Sequence, residues 1–176
     1  MPQFPSKQQL YDPVRAKWVQ ATPEELVRQK ILHWMLAPSG GKYPPGVICV
    51  EKSLSLLSGD TKPFAASQQR CDIAIYLKNR RILAKSEDTG DPTKTDPLPP
   101  LCCALLIECK AATPSHHSHL QALNQLASYS RHLCPEILAI ASSTQIYYRK
   151  CGPGPQQKYY EGLPSYQELL ACLFYK

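Results

Sequence analysis

CCALLIECK, residues 102–110, is the stretch on which the fold turns. Its almost purely apolar run reads as a buried central strand, and Glu108 and Lys110 stand where that strand emerges. Side chains alternate along a strand, so Glu108 and Lys110, two residues apart, project to the same face.

Downstream, residues 119–132 (HLQALNQLASYSRH) place Leu120, Leu123, Leu126 and Ala127 at the spacing of an amphipathic helix. Residues 136–141 (EILAIA) follow as a strand, and strand, helix and strand predict a right-handed parallel crossover. Residues 145–150 (QIYYRK) read as a further strand, residues 151–157 as a Gly/Pro turn, and residues 165–174 as a closing helix.

Upstream, residues 71–76 (CDIAIY) read as a strand with Asp72 embedded in it, leading to a turn at Asn79, Arg80 and Arg81. Residues 47–56 read as another strand after the Tyr43-Pro44-Pro45-Gly46 turn, and residues 59–69 as a polar loop. A helix is predicted from Thr22 to Leu36: Thr22 is the N-cap, Pro23 takes the first helical position and Glu25 completes a capping box. Val27, Ile31, Trp34 and Met35 then press on a sheet, and Pro38, Gly40 and Gly41 end the helix. Residues 1–20 are polar, with Tyr11 and Trp18 interspersed, and suggest no element. The order α, β, β, β, α, β, β, α predicts an α/β fold, a mixed sheet with helices on its faces.

A chain of 176 residues with 43% apolar content holds one domain of this class and its core. Its longest apolar run, residues 101–107, is far short of the roughly 20 residues that cross a bilayer. The first residues carry no hydrophobic segment of signal-peptide type, so the expectation is no membrane and a cytoplasmic location. The 8 cysteines lack the paired spacing of a secreted scaffold and of a zinc knuckle, which favours reduced thiols. Several of the 17 prolines gather in residues 84–100, an insertion-like mobile loop whose composition packs no core. The net charge of +6, with its bases concentrated in the first half, permits a polyanionic partner without requiring one.

Burying a carboxylate in a strand costs several kcal/mol unless it is paired, hydrogen-bonded or bound to a metal, and two strands here each carry one. If these strands pair, Asp72 and Glu108 converge on one divalent cation, with the Cys109 carbonyl as a third ligand and the Cys109 thiol facing away. Hard oxygen ligands suit Mg²⁺ or Mn²⁺. Lys110 would then orient an attacking water, which makes the constellation a phosphodiester hydrolase.

CDIAIY with Asp72, and IECKA with Glu108 and Lys110, resemble the split motif of the PD-(D/E)XK nuclease superfamily. YDPVRAKWVQATPEELVRQK (residues 11–30) and VICVEKSL (residues 47–54) extend the likeness to the N-terminal nuclease domain of type I restriction enzyme R subunits and small stand-alone relatives, over about residues 11–149. The resemblance implies a restriction-endonuclease-like central mixed β-sheet flanked by helices, spanning 1–176 as a single nuclease-like domain. It implies a Mg²⁺-dependent deoxyribonuclease acting on DNA. It also implies a supporting role for Gln125 and Tyr129 in the Gln-x-x-x-Tyr pattern, and metal assistance from Glu25, with Glu24 as the fallback. Two departures stand out: the 84–100 insertion replaces a tight hairpin, and the chain contains no G-x-x-x-x-G-K-[ST] phosphate loop. Translocation would therefore need a separate motor or specificity protein, and a homodimer stays open as an alternative partner.

Each residue also has a plainer reading. Asp72 caps a turn or pairs with Arg70 or Arg81, and Glu108 with Lys110 forms an ion pair at the sheet edge. Glu25 only caps its helix. Glu51 faces either the site or solvent, and Arg28 either phosphate or a helix carboxylate. His116, His117 and His119 read as solvated surface, and Trp18 and Trp34 as packing anchors. The competing function is a catalytically silent nuclease-like module that binds nucleic acid or docks a partner.

Overall fold

The computed structural model describes residues 8–53, 70–78, 101–111, 122, 125–127, 133–151 and 158–174. Its elements are β1 (Gln9–Asp12), β2 (Lys17–Gln20), α1 (Pro23–Leu36), β3 (Ile48–Ser53), β4 (Arg70–Lys78), β5 (Leu101–Cys109), β6 (Ile137–Ala141), β7 (Ile146–Lys150), β8 (Tyr159–Glu161) and α2 (Tyr166–Phe174). A 3₁₀ turn at Pro45–Val47 leads into β3. Ala122, Gln125, Leu126, Ala127 and Leu133 are helical, within or just beyond the helix predicted for residues 119–132. The predicted 84–100 loop, the His116/His117/His119 group and Tyr129 lie outside the described residues.

β3 to β8 form one six-stranded sheet in which every neighbour in space is a neighbour in sequence. All pairs are antiparallel except β5 with β6, where Leu105 to Cys109 run parallel to Ile137 to Ala141. That parallel pair is the predicted crossover. β5 is central and its neighbour β6 is buried throughout, which is why both read as uninterrupted apolar runs.

The two faces of the sheet carry two cores. On one, Val27, Ile31, Leu32 and Met35 of α1 and Leu169 of α2 pack on Ile73, Ile75, Ile107 and Ile137. On the other, Ala122 and Leu126 pack on Ala74, Cys103, Leu106 and Leu138. The result is an α/β fold of the restriction-endonuclease-like kind, a mixed sheet between helices. No helix among the described residues is long and apolar enough to cross a membrane.

α1 begins and ends on local chemistry. Thr22 is its N-cap, the Thr22 Oγ1 accepting from the Glu25 N–H at 3.1 Å. At its exit the Gly41 N–H donates to the Trp34 carbonyl, and a Cβ on Gly40 would sit 2.3 Å from that oxygen, so the turn excludes any side chain there. The next turn ties α1 to α2, because the Tyr43 hydroxyl donates to the Pro164 carbonyl at 2.7 Å.

Three expectations change. The polar N-terminal segment is a hairpin: β1 and β2 pair in register from Gln9↔Gln20 to Asp12↔Lys17. Trp18 is no packing anchor, being 65% exposed, and Trp34 is 36% exposed while Leu32 fills the core position. β8 is an added edge strand, pairing Tyr148 with Tyr160.

Candidate active site

The buried stripe of α1 is polar at its start and apolar beyond. Glu25, Arg28, Gln29, Leu32 and Met35 are all buried and fall at helical spacing on one side. The apolar half lies on the core, so the polar half comes to the end of the sheet where β3 ends, β4 starts and β5 ends. There Ile73 pairs with Ile107 in the β4/β5 ladder, which sets Asp72 opposite Glu108 one step further on. Val50↔Ile73 and Lys52↔Cys71 flank Glu51 in the same way, and Glu51 itself has φ +48°, a left-handed backbone rare for a non-glycine residue. Such a conformation costs on the order of 1–3 kcal/mol and persists only where surrounding contacts hold it.

Those contacts are ionic. Arg28 reaches three carboxylates from three elements: Nη1 bonds Glu25 Oε2 and, at 2.9 Å, Glu51 Oε1, while Nη2 lies 2.5 Å from Asp72 Oδ1. The other Asp72 oxygen, Oδ2, accepts from the Cys109 N–H at 2.7 Å. Arg15, from the β1/β2 turn, bonds Asp12, Glu25 and Glu51. Gln29 Nε2 donates to both Asp12 and Glu25 at 2.8 Å. Four carboxylates thus surround two guanidiniums. Burial works against the Arg28 charge, yet Asp72, Glu25 and Glu51 outweigh it and hold the guanidinium more firmly protonated than usual.

Asp12 is fully buried and builds the hairpin turn. Its Oδ1 accepts from the N–H groups of Val14 and Arg15, and its Oδ2 from Arg15 Nε and Gln29. Burial alone would raise its pKa, but these donors hold it below the usual carboxylate value.

Glu108 lies beside this network. Lys110 Nζ is 2.8 Å from Glu108 Oε1 and 3.4 Å from Gln125 Oε1. Glu108 Oε2 is buried and, among the described residues, has no hydrogen-bond partner. Burial, reinforced by the Asp72 charge and only partly offset by Lys110, pushes the Glu108 carboxyl up to about 7. Burial lowers the Lys110 pKa, but the bond to Glu108 outweighs it and keeps the ammonium charged.

Asp72, Glu108, Lys110 and Gln125 therefore meet at one end of the sheet. Glu25 reaches the same place, but its carboxylate is spent on Arg15, Arg28 and Gln29, and it sends no return bond to Thr22 among the described contacts. Asp72 pairs with Arg28, Arg81 lies outside the described residues, Arg28 faces carboxylates, and Glu51 faces the site. Glu24, the fallback, is exposed. The Cys109 side chain lies in the α1-side core, where burial raises its thiol well above the ordinary value. The sequence suggested no site role for Asp12 or Arg15, though Asp12-Pro13 is a turn-initiating dipeptide that marks the place.

Mg²⁺ or Mn²⁺ fits this arrangement poorly. Among the described residues no three His, Cys, Asp or Glu side chains are placed to hold a metal ion. A cation on Asp72 would stand beside the Arg28 guanidinium, and two unit charges about 4 Å apart near a protein surface already interact by about 4 kcal/mol, doubled for a divalent ion.

Searches of curated proteins and of solved structures gave no significant match. The family model "Type I restriction enzyme R protein N terminus (HSDR_N)" matches residues 23–165, which run from the first residue of α1 to the one before α2 and take in the whole six-stranded sheet. On that match and this fold, the chain belongs to the family of type I restriction enzyme R protein N-terminal domains.

Proposed function

We propose that this domain is a nuclease-like nucleic-acid-binding module that does not turn over phosphodiesters. The observation that carries the reading is the Asp72 carboxylate, with Arg28 on one oxygen and the Cys109 N–H on the other. A two-carboxylate metal site needs Asp72 open, and a guanidinium beside it repels the incoming cation. Support for a nucleic-acid partner comes from the family, from the net charge of +6 and from the hairpin. Tyr11 and Trp18 stand exposed there, edge to face with centroids 5.6 Å apart, a surface on which bases can stack.

The test is fluorescence anisotropy with labelled single- and double-stranded DNA in EDTA. Binding that weakens steeply with salt and is unchanged by Lys110→Ala is the expected result. Turnover of any of these substrates on addition of Mg²⁺ or Mn²⁺, lost in Lys110→Ala, would overturn it.

A second reading, a metal-dependent deoxyribonuclease, is favoured by one observation: Glu108 keeps a buried oxygen without a described partner, and Lys110 bridges Glu108 to Gln125. Asp72, Glu108, Lys110 and Gln125 would be its catalytic residues, and it requires Arg28 to leave Asp72. A cleavage screen with Mg²⁺ and Mn²⁺, run beside Lys110→Ala, separates the two readings.

A further inference from the structure

We infer that a cleft between α1 and the β7/β8 end of the sheet is a binding site for a small apolar monoanion, a carboxylate whose hydrocarbon part fills the cleft and whose charge meets Lys30. The inference goes beyond the nucleic-acid reading above and does not depend on it.

The cleft has a volume of about 270 Å³ and is lined by Lys30, Ile31 and Trp34 of α1, Ile146 at the start of β7, and Gly162 and Leu163 beyond β8. Clefts that hold drug-sized ligands run from roughly 300 to 1,000 Å³, so this one suits a smaller occupant. Ile31 is buried, and Ile146 and Leu163 are half-buried against the α1-side core, so a hydrocarbon seated here extends that core. The indole wall is built in advance. A Cβ on Gly41 would sit 2.9 Å from Trp34 Cζ3 and 2.8 Å from the Tyr43 ring, so the glycine is what lets both rings close on the backbone. The Trp34 and Tyr43 centroids are 6.5 Å apart. Trp34 is thus held by its own exit turn, yet it stays 36% exposed and lines the cleft, an apolar surface with little rotamer freedom left to lose on binding.

Charge decides the class of occupant. Lys30 is the one charged residue among the described residues that line the cleft, and no carboxylate lines it. Lys30 is exposed and takes part in none of the ion pairs among the described residues. Glu161 borders the adjoining cavity instead, with Thr144, Gln145 and Tyr147. An apolar cleft with a single cation at its side complements a ligand of the opposite pattern, a hydrocarbon body carrying one negative charge. A cation of the same shape would meet the Lys30 ammonium and be repelled.

The experiment uses octanoate and octylammonium as probes of equal chain length and opposite charge, and contains no nucleic acid. Binding is measured by calorimetry on the wild-type chain, and Trp34 emission is followed in Trp18→Ala, where it is the remaining one of the 2 tryptophans. Octanoate should bind saturably and shift the Trp34 emission, and octylammonium should bind at least about ten-fold more weakly. Lys30→Gln should weaken octanoate about five-fold and leave octylammonium no weaker. A Cβ on Gly162 meets no atom within 4 Å, and its φ of +82° is of the sign that asparagine tolerates best after glycine. Gly162→Asn therefore adds a side chain where the cleft is open, and should lose octanoate binding while keeping the wild-type circular dichroism. Absence of saturable octanoate binding by the wild type, equal affinity for the two probes, unchanged octanoate affinity in Lys30→Gln, or unchanged affinity in a folded Gly162→Asn each overturns the inference. Lys30 is exposed, so Lys30→Gln decides the matter should Gly162→Asn fail to fold.

Discussion

Arg28 Nη2 lies 2.5 Å from Asp72 Oδ1 and so joins the first helix to the second strand of the sheet, 44 residues apart, at the end where Glu108 emerges. The bond orders the site in two ways. It gives the strand carboxylate a counter-charge, and it gathers Glu25 and Glu51 around the same guanidinium.

Arg28→Met should destabilise the chain strongly in metal-free buffer. The variant takes a guanidinium partner from three carboxylates, two of them with side chains at most 17% exposed, and leaves Asp72 with the Cys109 N–H as its remaining described partner. Breaking a buried pair from one side costs about 3–5 kcal/mol. Urea unfolding followed by circular dichroism measures it. Arg28→Lys should recover only part of the loss, because one ammonium lacks the fork that spans Glu25, Glu51 and Asp72.

Asp12→Ala should loosen the hairpin first. The substitution removes the acceptor for the Val14 and Arg15 N–H groups and frees Arg15 from one of its three carboxylates. A hydrogen bond to a charged group is worth about 1.5–3 kcal/mol. Hydrogen exchange should therefore speed up in residues 9–20 before it does so in the sheet, with Asp12→Asn intermediate. Since the folded Asp12 pKa is depressed, its contribution is present above the unfolded value of 3.8 and is lost as the pH falls through the lower folded value. The wild type should thus lose stability below that point and Asp12→Asn should lose less.

How much of this was legible in the sequence differs by element. β5 could be read because a strand buried on both faces is apolar up to Glu108 near its end, and Asp72 and Glu108 could be placed together once two adjacent strands were recognised. The helix after β5 showed itself by apolar spacing, and of the positions that carried it Leu126 lies in the second core, while Leu120 and Leu123 lie outside the described residues. The hairpin could not be read, since its strands are short, largely exposed and held by Asp12 rather than by an apolar face. Nor could the guanidinium cluster. Arg15 meets partners 10 and 36 residues away, and only tertiary folding brings these together. Burial of Glu25, Arg28 and Gln29 on the helix stripe likewise looks, in sequence, like an ordinary polar first turn.

Glu108→Gln should flatten the pH dependence of stability. The folded carboxyl titrates near 7 against 4.5 for an ordinary glutamate, so the native state keeps the proton that the unfolded chain gives up. Stability is then highest below 4.5 and falls as the pH rises to about 7, after which it is level. Each pKa unit is worth 1.36 kcal/mol, so the whole fall is of the order of 3 kcal/mol. Glutamine carries no proton to lose. Denaturation curves at pH values on both sides of this window should show the wild type declining and Glu108→Gln holding, and an equal decline in both would locate the titrating group elsewhere.

Trp18→Ala separates binding from folding. The ring is 65% exposed and touches Tyr11 edge to face, so truncation removes little buried surface, and stability should change by less than about 1 kcal/mol. A base stacked on an aromatic side chain contributes about 1–3 kcal/mol, which predicts a loss of about five- to 150-fold in affinity for single-stranded DNA. Tyr11→Ala should act in the same direction, since each ring limits the other's rotation. Intrinsic fluorescence gives the direct measurement: DNA should quench Trp18, and the quenching should vanish in Trp18→Ala while Trp34, set between the Tyr43 ring and the exit turn of its helix, remains as the internal control. DNA affinity unchanged in both variants would remove the hairpin from the binding face and leave the module to bind through its other surfaces.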